Sequence, residues 1–362
     1  MVLKAVVTCV MVLSVVTLAF TISESKDYIP QPRAWPCPNS TDILPCTCTS
    51  TQETDLKIDC SLVKSNDELA RVFQSVFPFS EFLELNIEQN PNDPAYNLNA
   101  IEPNVFNGLS FERIIIRGTK LTAVEEQAFT DSYNYLNYLN LANNQLNRFP
   151  FETLSNYIRL SSLVLDDNEL SELPSITSSS LQSISVSGNP HMKFDSPTLF
   201  EGAPLLSRIS LARNNIINST VGLLVPLNYS AIIDLSGNEL TFIDENTFKP
   251  PGDTLLQIIL DHNKIKDIRH DAVHGLMKTA HFSMTGNQMT SISKDVWKTI
   301  FDQLPNGAVD LSDNPLLCGC DMAWLFIEEG NTYLNLLTDT TKCYDGTQVR
   351  YLDPQYFTVQ CT

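Results

Sequence analysis

Nine cysteines and five histidines carry most of the chemistry this 362-residue chain could perform, and their placement is uneven. Cys9 stands alone near the start. The other eight form two groups of four: Cys37, Cys46, Cys48 and Cys60, then Cys318, Cys320, Cys343 and Cys361, with none between residues 61 and 317. Four thiols can hold a zinc ion or close two disulfides. The CxC pairs depart from the CxxC ligand spacing, and an oxidising compartment favours disulfides. Four of the histidines, His262, His270, His274 and His281, fall within twenty residues, and His270 with His274 have the i, i+4 spacing of a helical metal pair. No HExxH, GxSxG or GxGxxG accompanies them. No catalytic, cofactor-binding or metal-binding residue is assigned.

The compartment follows from the N-terminus. A lone Lys4 precedes an apolar run from Ala5 to Phe20 and then the small and polar stretch TISESK, the order of a cleavable signal peptide, with cleavage between Ala19 and Glu24. The run is short for a bilayer span, which needs ~20 apolar residues. Residues 1–23 are read as signal peptide and 24–36 as linker. The mature chain is expected to be extracellular, without a membrane span or C-terminal anchor. Its 42 acidic against 23 basic residues give −19, which repels phosphate backbones and excludes nucleic acid as a partner class. Sequons stand at Asn39, Asn218 and Asn228.

Between the cysteine groups the chain repeats itself. LNYLNLANNQL from Leu136 returns as LSSLVLDDNEL from Leu160, LSRISLARNNI from Leu206 and LLQIILDHNKI from Leu255, with six weaker copies. The asparagine position falls at Asn90, Thr119, Asn144, Asn168, Asn189, Asn214, Asn238, Asn263, Asn287 and Asn314, mostly 24 or 25 residues apart. LxxLxLxxNxL at such a period is the leucine-rich repeat signature. It predicts an α/β solenoid, a horseshoe with a parallel concave β-sheet, convex short helices or irregular turns, and a cysteine-rich cap at each end. The boundaries are 37–81 for the N-terminal cap, 82–316 for ten repeats and 317–362 for the C-terminal cap.

The spacing has a physical reading. Leu139 and Leu141 face one core by strand alternation, and Leu136 and Leu146 reach it from the bends on either side. The asparagine amide both donates and accepts, so it can satisfy main-chain groups stranded in the bend. Thr119 offers a single hydroxyl, and its coil is expected to be less well tied. Apolar pairs five apart, such as Val124 with Phe129 and Ile243 with Phe248, should pack the convex side. The serine-rich coil from Asn168 to Asn189 should stay extended there. Repeat phase puts His281 on a concave strand and His270 and His274 across the core, which separates them.

The stretches WPCPNSTDILPCTCT, DLKIDCS, DELARVFQSVFPF and FERIIIRGTKL resemble a group of secreted crustacean leucine-rich repeat proteins that includes the non-catalytic subunit of Oplophorus-luciferin 2-monooxygenase. NPLLCGCDMAWL from Asn314 resembles the disulfide cap of extracellular leucine-rich repeat proteins, with Trp324 expected against the last coil. Cysteine number alone allows three pairings per cap. The resemblance implies Cys37–Cys48, Cys46–Cys60, Cys318–Cys343 and Cys320–Cys361. It implies no catalytic residue here, because in that group the light-producing chemistry belongs to a separate small subunit.

Function must come from surfaces. The third and fifth positions of each motif should line the concave face, and a protein partner is expected there. Tyr138, Val164, Arg208, Arg213, Ile232 and Ile259 are the candidate contacts. Two readings compete: an accessory, stabilising subunit of a luciferase-type monooxygenase complex, and a free recognition or matrix protein that binds glycans, microbial surfaces or receptors.

Overall fold

The computed structural model describes residues 37–51, 55–194, 199–218, 227, 230–327 and 332–361. The signal-peptide and linker segments lie outside the described residues. Each repeat contributes a short strand, because its LxL stretch alternates between core and open face. In Tyr138–Asn140, Leu139 is buried and its two neighbours are half-buried. The next strand, Ser162–Val164, pairs with it in parallel, Tyr138 opposite Ser162 and Asn140 opposite Val164. This register recurs through parallel strands from Glu81–Glu88 to Ala308–Asp310, which follow one another in chain order. A parallel sheet in chain order requires each coil to return beneath the sheet before the next strand, and the result is a horseshoe solenoid.

The return paths are irregular. They hold 3₁₀ turns at Thr130–Ser132 and Phe151–Asn156, two-residue parallel pairs (Ala100–Ile101 with Ala123–Val124, Phe242–Ile243 with Asp267–Ile268), and a helix, Lys294–Asp302, in the last coil. Ile101, Phe106, Val124, Phe129, Ile243 and Phe248 are all buried between these paths and the sheet. The coil after Asn168 is extended, and Glu172 bridges to Lys193 on the next coil. His270 and His274 do not share a helix. They flank Asp271 at 3.2 and 3.4 Å in a convex turn, and the described residues contain no cluster able to hold a metal ion.

The asparagine row ties coil to coil. The Asn168 amide nitrogen donates to Leu141 O at 2.9 Å in the preceding coil and to Leu165 O at 3.0 Å in its own, while its oxygen accepts from Leu146 N–H at 3.0 Å. Asn263, Asn287 and Asn314 repeat the arrangement. Two members of the row behave differently from expectation. Asn90 is exposed and caps a local turn. Gln89 does the inward work in its place, donating to Ser61 O and Val63 O at 3.1 and 2.6 Å, because the longer glutamine side chain reaches in from one residue earlier. Thr119 is not loosely held: its hydroxyl donates to Asn144 Oδ1 at 2.7 Å and accepts from Leu121 N–H at 3.2 Å.

The residue just before the asparagine is left-handed in coil after coil. Gly118, Asn143, Asp167, Gly188, Arg213, Gly237, His262, Gly286 and Asp313 all have φ between 53° and 69°. The chain must turn sharply off the strand there, and only glycine, or a residue held by its surroundings, accepts that conformation cheaply. From Asp167 onward large residues alternate with glycine. A Cβ on Gly188 would lie 2.2 Å from Asp167 Oδ1, and one on Gly286 would lie 2.5 Å from His262 Nδ1. Each large side chain therefore lies across the bare backbone of the next turn.

Both ends are covered. Disulfides join Cys37 to Cys48, Cys46 to Cys60, Cys318 to Cys343 and Cys320 to Cys361. Cross-links of this size stabilise by roughly 3 kcal/mol each in the chain-entropy picture. The N-terminal cap adds a hairpin, Thr47–Thr51 with Asp55–Asp59, whose second strand continues the sheet in parallel. A helix, Asn66–Phe73, buries Leu69, Val72 and Phe73. Ser65, the N-cap, accepts from Glu68 N–H at 3.2 Å, and the Glu68 carboxylate accepts from Lys64 N–H at 2.7 Å, one residue before the cap. At the other end Trp324 packs 6.0 Å from Phe301, and its indole N–H donates to Ile292 O at 2.8 Å.

Candidate protein-docking face

Parallel register aligns the third and fifth motif positions into two rows across the concave sheet. Polar side chains on the N-terminal strands satisfy one another. Glu84 takes Lys57 at 3.4 Å and Arg113 at 3.2 Å. The Arg113 guanidinium lies 4.4 Å from the centre of the Tyr138 ring, and the Tyr138 hydroxyl accepts from Asn140 at 3.0 Å. Tyr138 was a candidate contact on the strength of its residue type. Its flank is already occupied by Arg113.

Serines dominate the middle. Ser162 and Ser183 lie between Tyr138 and Arg208 in register, and such short side chains leave the sheet surface low. Behind them runs a hydrogen-bonded chain: Ser185 donates to Asp166 Oδ1 at 2.5 Å, Ser187 N–H to the same oxygen at 2.8 Å, and the Ser187 and Ser210 hydroxyls meet at 2.7 Å. Burial raises the Asp166 carboxyl above its ordinary range, and the hydrogen bonds from Ser185 and Ser187 pull it part of the way back. Asp310, at the C-terminal edge, ends on the other side. Burial acts to raise it, but hydrogen bonds from the Ser312 hydroxyl and amide and from Thr338, with His281 nearby, hold it below the usual carboxylate range.

Apolar residues are set singly among these polar ones. Val164 precedes Ser185 and Ser210 in its row, Ile232 follows Arg208 and Ile259 follows Asp234, and all three are half-buried on the concave side. Arg208 is exposed beside Ile232 in register, and among the described residues it makes no ion pair. Arg213 is not on a strand. It occupies the left-handed turn at the sheet's edge, where it pairs with Asp167 at 3.2 Å across Gly188. The structure thus brings Val164, Arg208, Ile232 and Ile259 onto one face and places Arg213 beside it. Asn39 and Asn218 are exposed; Asn228 lies outside the described residues.

No family model matches the chain. It is 29% identical over 330 residues, 90% of this chain and 88% of the relative, to the Oplophorus-luciferin 2-monooxygenase non-catalytic subunit of Oplophorus gracilirostris. Lumican from Gallus gallus is 26% identical over 59% of this chain and 60% of its own length. Among solved structures, one from the octameric complex of Latrophilin 3, Unc5D and FLRT2 (LRR) superposes with a TM-score of 0.62 at 17% identity, covering 87% of this chain and 93% of that one. At that identity the likeness speaks to the fold alone. The chain is a leucine-rich repeat protein, and it resembles the Oplophorus non-catalytic subunit along 90% of its length.

Proposed function

We propose that this chain is a secreted, non-catalytic, protein-binding subunit whose concave sheet docks a smaller protein, as an accessory subunit of a luciferase-type monooxygenase complex. The near end-to-end similarity to a subunit described as non-catalytic carries this reading. The surface chemistry supports it. Val164, Ile232 and Ile259 offer desolvation, exposed Arg208 offers a directional cation, and arginine is among the residue types that dominate interface energies. Four disulfides suit an oxidising extracellular compartment. No described helix is long and apolar enough to cross a membrane. Glycans at Asn39 and Asn218 belong to the proposal as well.

Capture of the chain from native secretion, followed by mass spectrometry, tests the proposal. A smaller catalytic protein should co-elute in a fixed ratio and survive a salt wash. Recovery of the chain alone, or with glycan or microbial surface material, would favour free recognition.

A further inference from the structure

A groove of about 640 Å³ lies where the last coil meets the C-terminal cap, at the rim of the concave sheet. The coil contributes Asp310, Ser312 and Asp313 to its lining, and the cap contributes Thr340, Lys342 and Tyr344. The cap side is braced. Cys343 is bonded to Cys318, its N–H donates to Thr347 O at 2.8 Å, Gly346 N–H returns to Cys343 O at 2.9 Å, and Tyr344 N–H donates to Leu316 O at 2.7 Å. On that closed turn Tyr344 is 79% exposed. The charges around it are of both signs. Asp313 and Lys342 are exposed, and among the described residues neither forms an ion pair. Asp310 Oδ1 accepts from Ser312 N–H at 2.9 Å and from the Thr338 hydroxyl at 3.0 Å, which fixes its carboxylate.

We propose that this groove binds a neutral oligosaccharide, with Tyr344 as the platform for one sugar ring. The mixture of charges decides against an ion: a cation would meet Lys342, and an anion would meet Asp310 and Asp313. A sugar diol both donates and accepts, so it can use the Asp313 carboxylate and the Lys342 ammonium together. The exposed Tyr344 ring offers an apolar, electron-rich face to the C–H side of a pyranose. Volume agrees, since small-molecule sites span about 300 to 1,000 Å³. The site lies beyond the docking reading, because none of Val164, Arg208, Ile232 and Ile259 lines it.

The test is a saturation-transfer NMR titration of the purified full chain with maltose, cellobiose and N,N′-diacetylchitobiose. Unacetylated chitobiose, a cation, and a disaccharide ending in glucuronate, an anion, are the charged controls. At least one neutral sugar should bind with a Kd below about 10 mM, and tighter than both controls. Tyr344→Ala should weaken that sugar about fivefold or more, whereas Tyr344→Phe should keep most of the affinity. Lys342→Met should lose part of it. These side chains are exposed, and thermal unfolding of the variants should match the parent. Ile232→Asp should bind the sugar as the parent does, so failure of this site and failure of concave docking are read separately. No neutral sugar bound below about 10 mM, tighter binding of either charged control, or equal binding by the parent and Tyr344→Ala would overturn the proposal.

Discussion

Gly118→Ala is expected to lower the unfolding free energy by about 3 to 4 kcal/mol, whereas Gly108→Ala costs about 1 to 2 kcal/mol. Both glycines have positive φ, 65° and 86°, so both substitutions carry the left-handed penalty of an L-residue. They differ in what a methyl group would meet. At Gly118 the Cβ would fall 2.1 Å from the backbone oxygen of Gln89, while at Gly108 nothing lies within 4 Å. Backbone oxygen cannot rotate away like a side chain. The adjacent coil would have to shift, and Gln89 is the residue that anchors that coil to the N-terminal cap. Denaturant melts of the two variants give the comparison. Equal losses would mean that the coils do not approach so closely at this turn.

Asn144→Ala should cost about 4 kcal/mol and Asn214→Ala about 1 kcal/mol, at roughly 1 kcal/mol for each buried hydrogen bond lost. The two asparagines occupy the same motif position but carry unequal loads. Asn144 accepts from Thr119 N–H at 2.9 Å and from the Thr119 hydroxyl at 2.7 Å, and donates to Ile116 O and Leu141 O at 2.8 Å each. Asn214 accepts from Asn189 N–H at 2.7 Å, but its amide nitrogen makes no hydrogen bond. The difference between the variants is the useful quantity, because a general effect of shortening the side chain cancels in it. If Asn214→Ala proved the more damaging, the donor pattern along the row would be misassigned.

The sequence shows the solenoid plainly because a strand that turns inward at each coil needs leucines at fixed steps and an amide at the bend. Leu136, Leu139, Leu141 and Asn144 carry that need visibly. The left-handed turn residue is less visible, since Gly118, Asn143, Asp167, Arg213 and His262 share a backbone angle and no side-chain chemistry. Their common signal is the frequent glycine, asparagine or aspartate just before the row. Gln89 was missed because repeat alignment points to Asn90, and only the fold shows which of two adjacent amides turns inward. Residue type also misleads at the surface. Tyr138 and Arg213 have the composition of interface anchors, yet Arg113 and Asp167 already engage them. Neighbours 25 and 46 residues away in sequence decide that.

Docking on the concave sheet is tested most directly by the affinity of the purified chain for the smaller protein recovered with it. The informative pair is Ile232→Asp with Ile259→Asp on the concave strands and Asn218→Gln at the exposed sequon. Each isoleucine is half-buried and open to the sheet face, so a carboxylate should be tolerated in the free chain and penalised in the complex. Two such contacts should together weaken binding by about tenfold or more, while removal of the sequon should change it by less than about twofold. Binding that is untouched by the isoleucine pair but lost with Asn218→Gln would contradict concave docking.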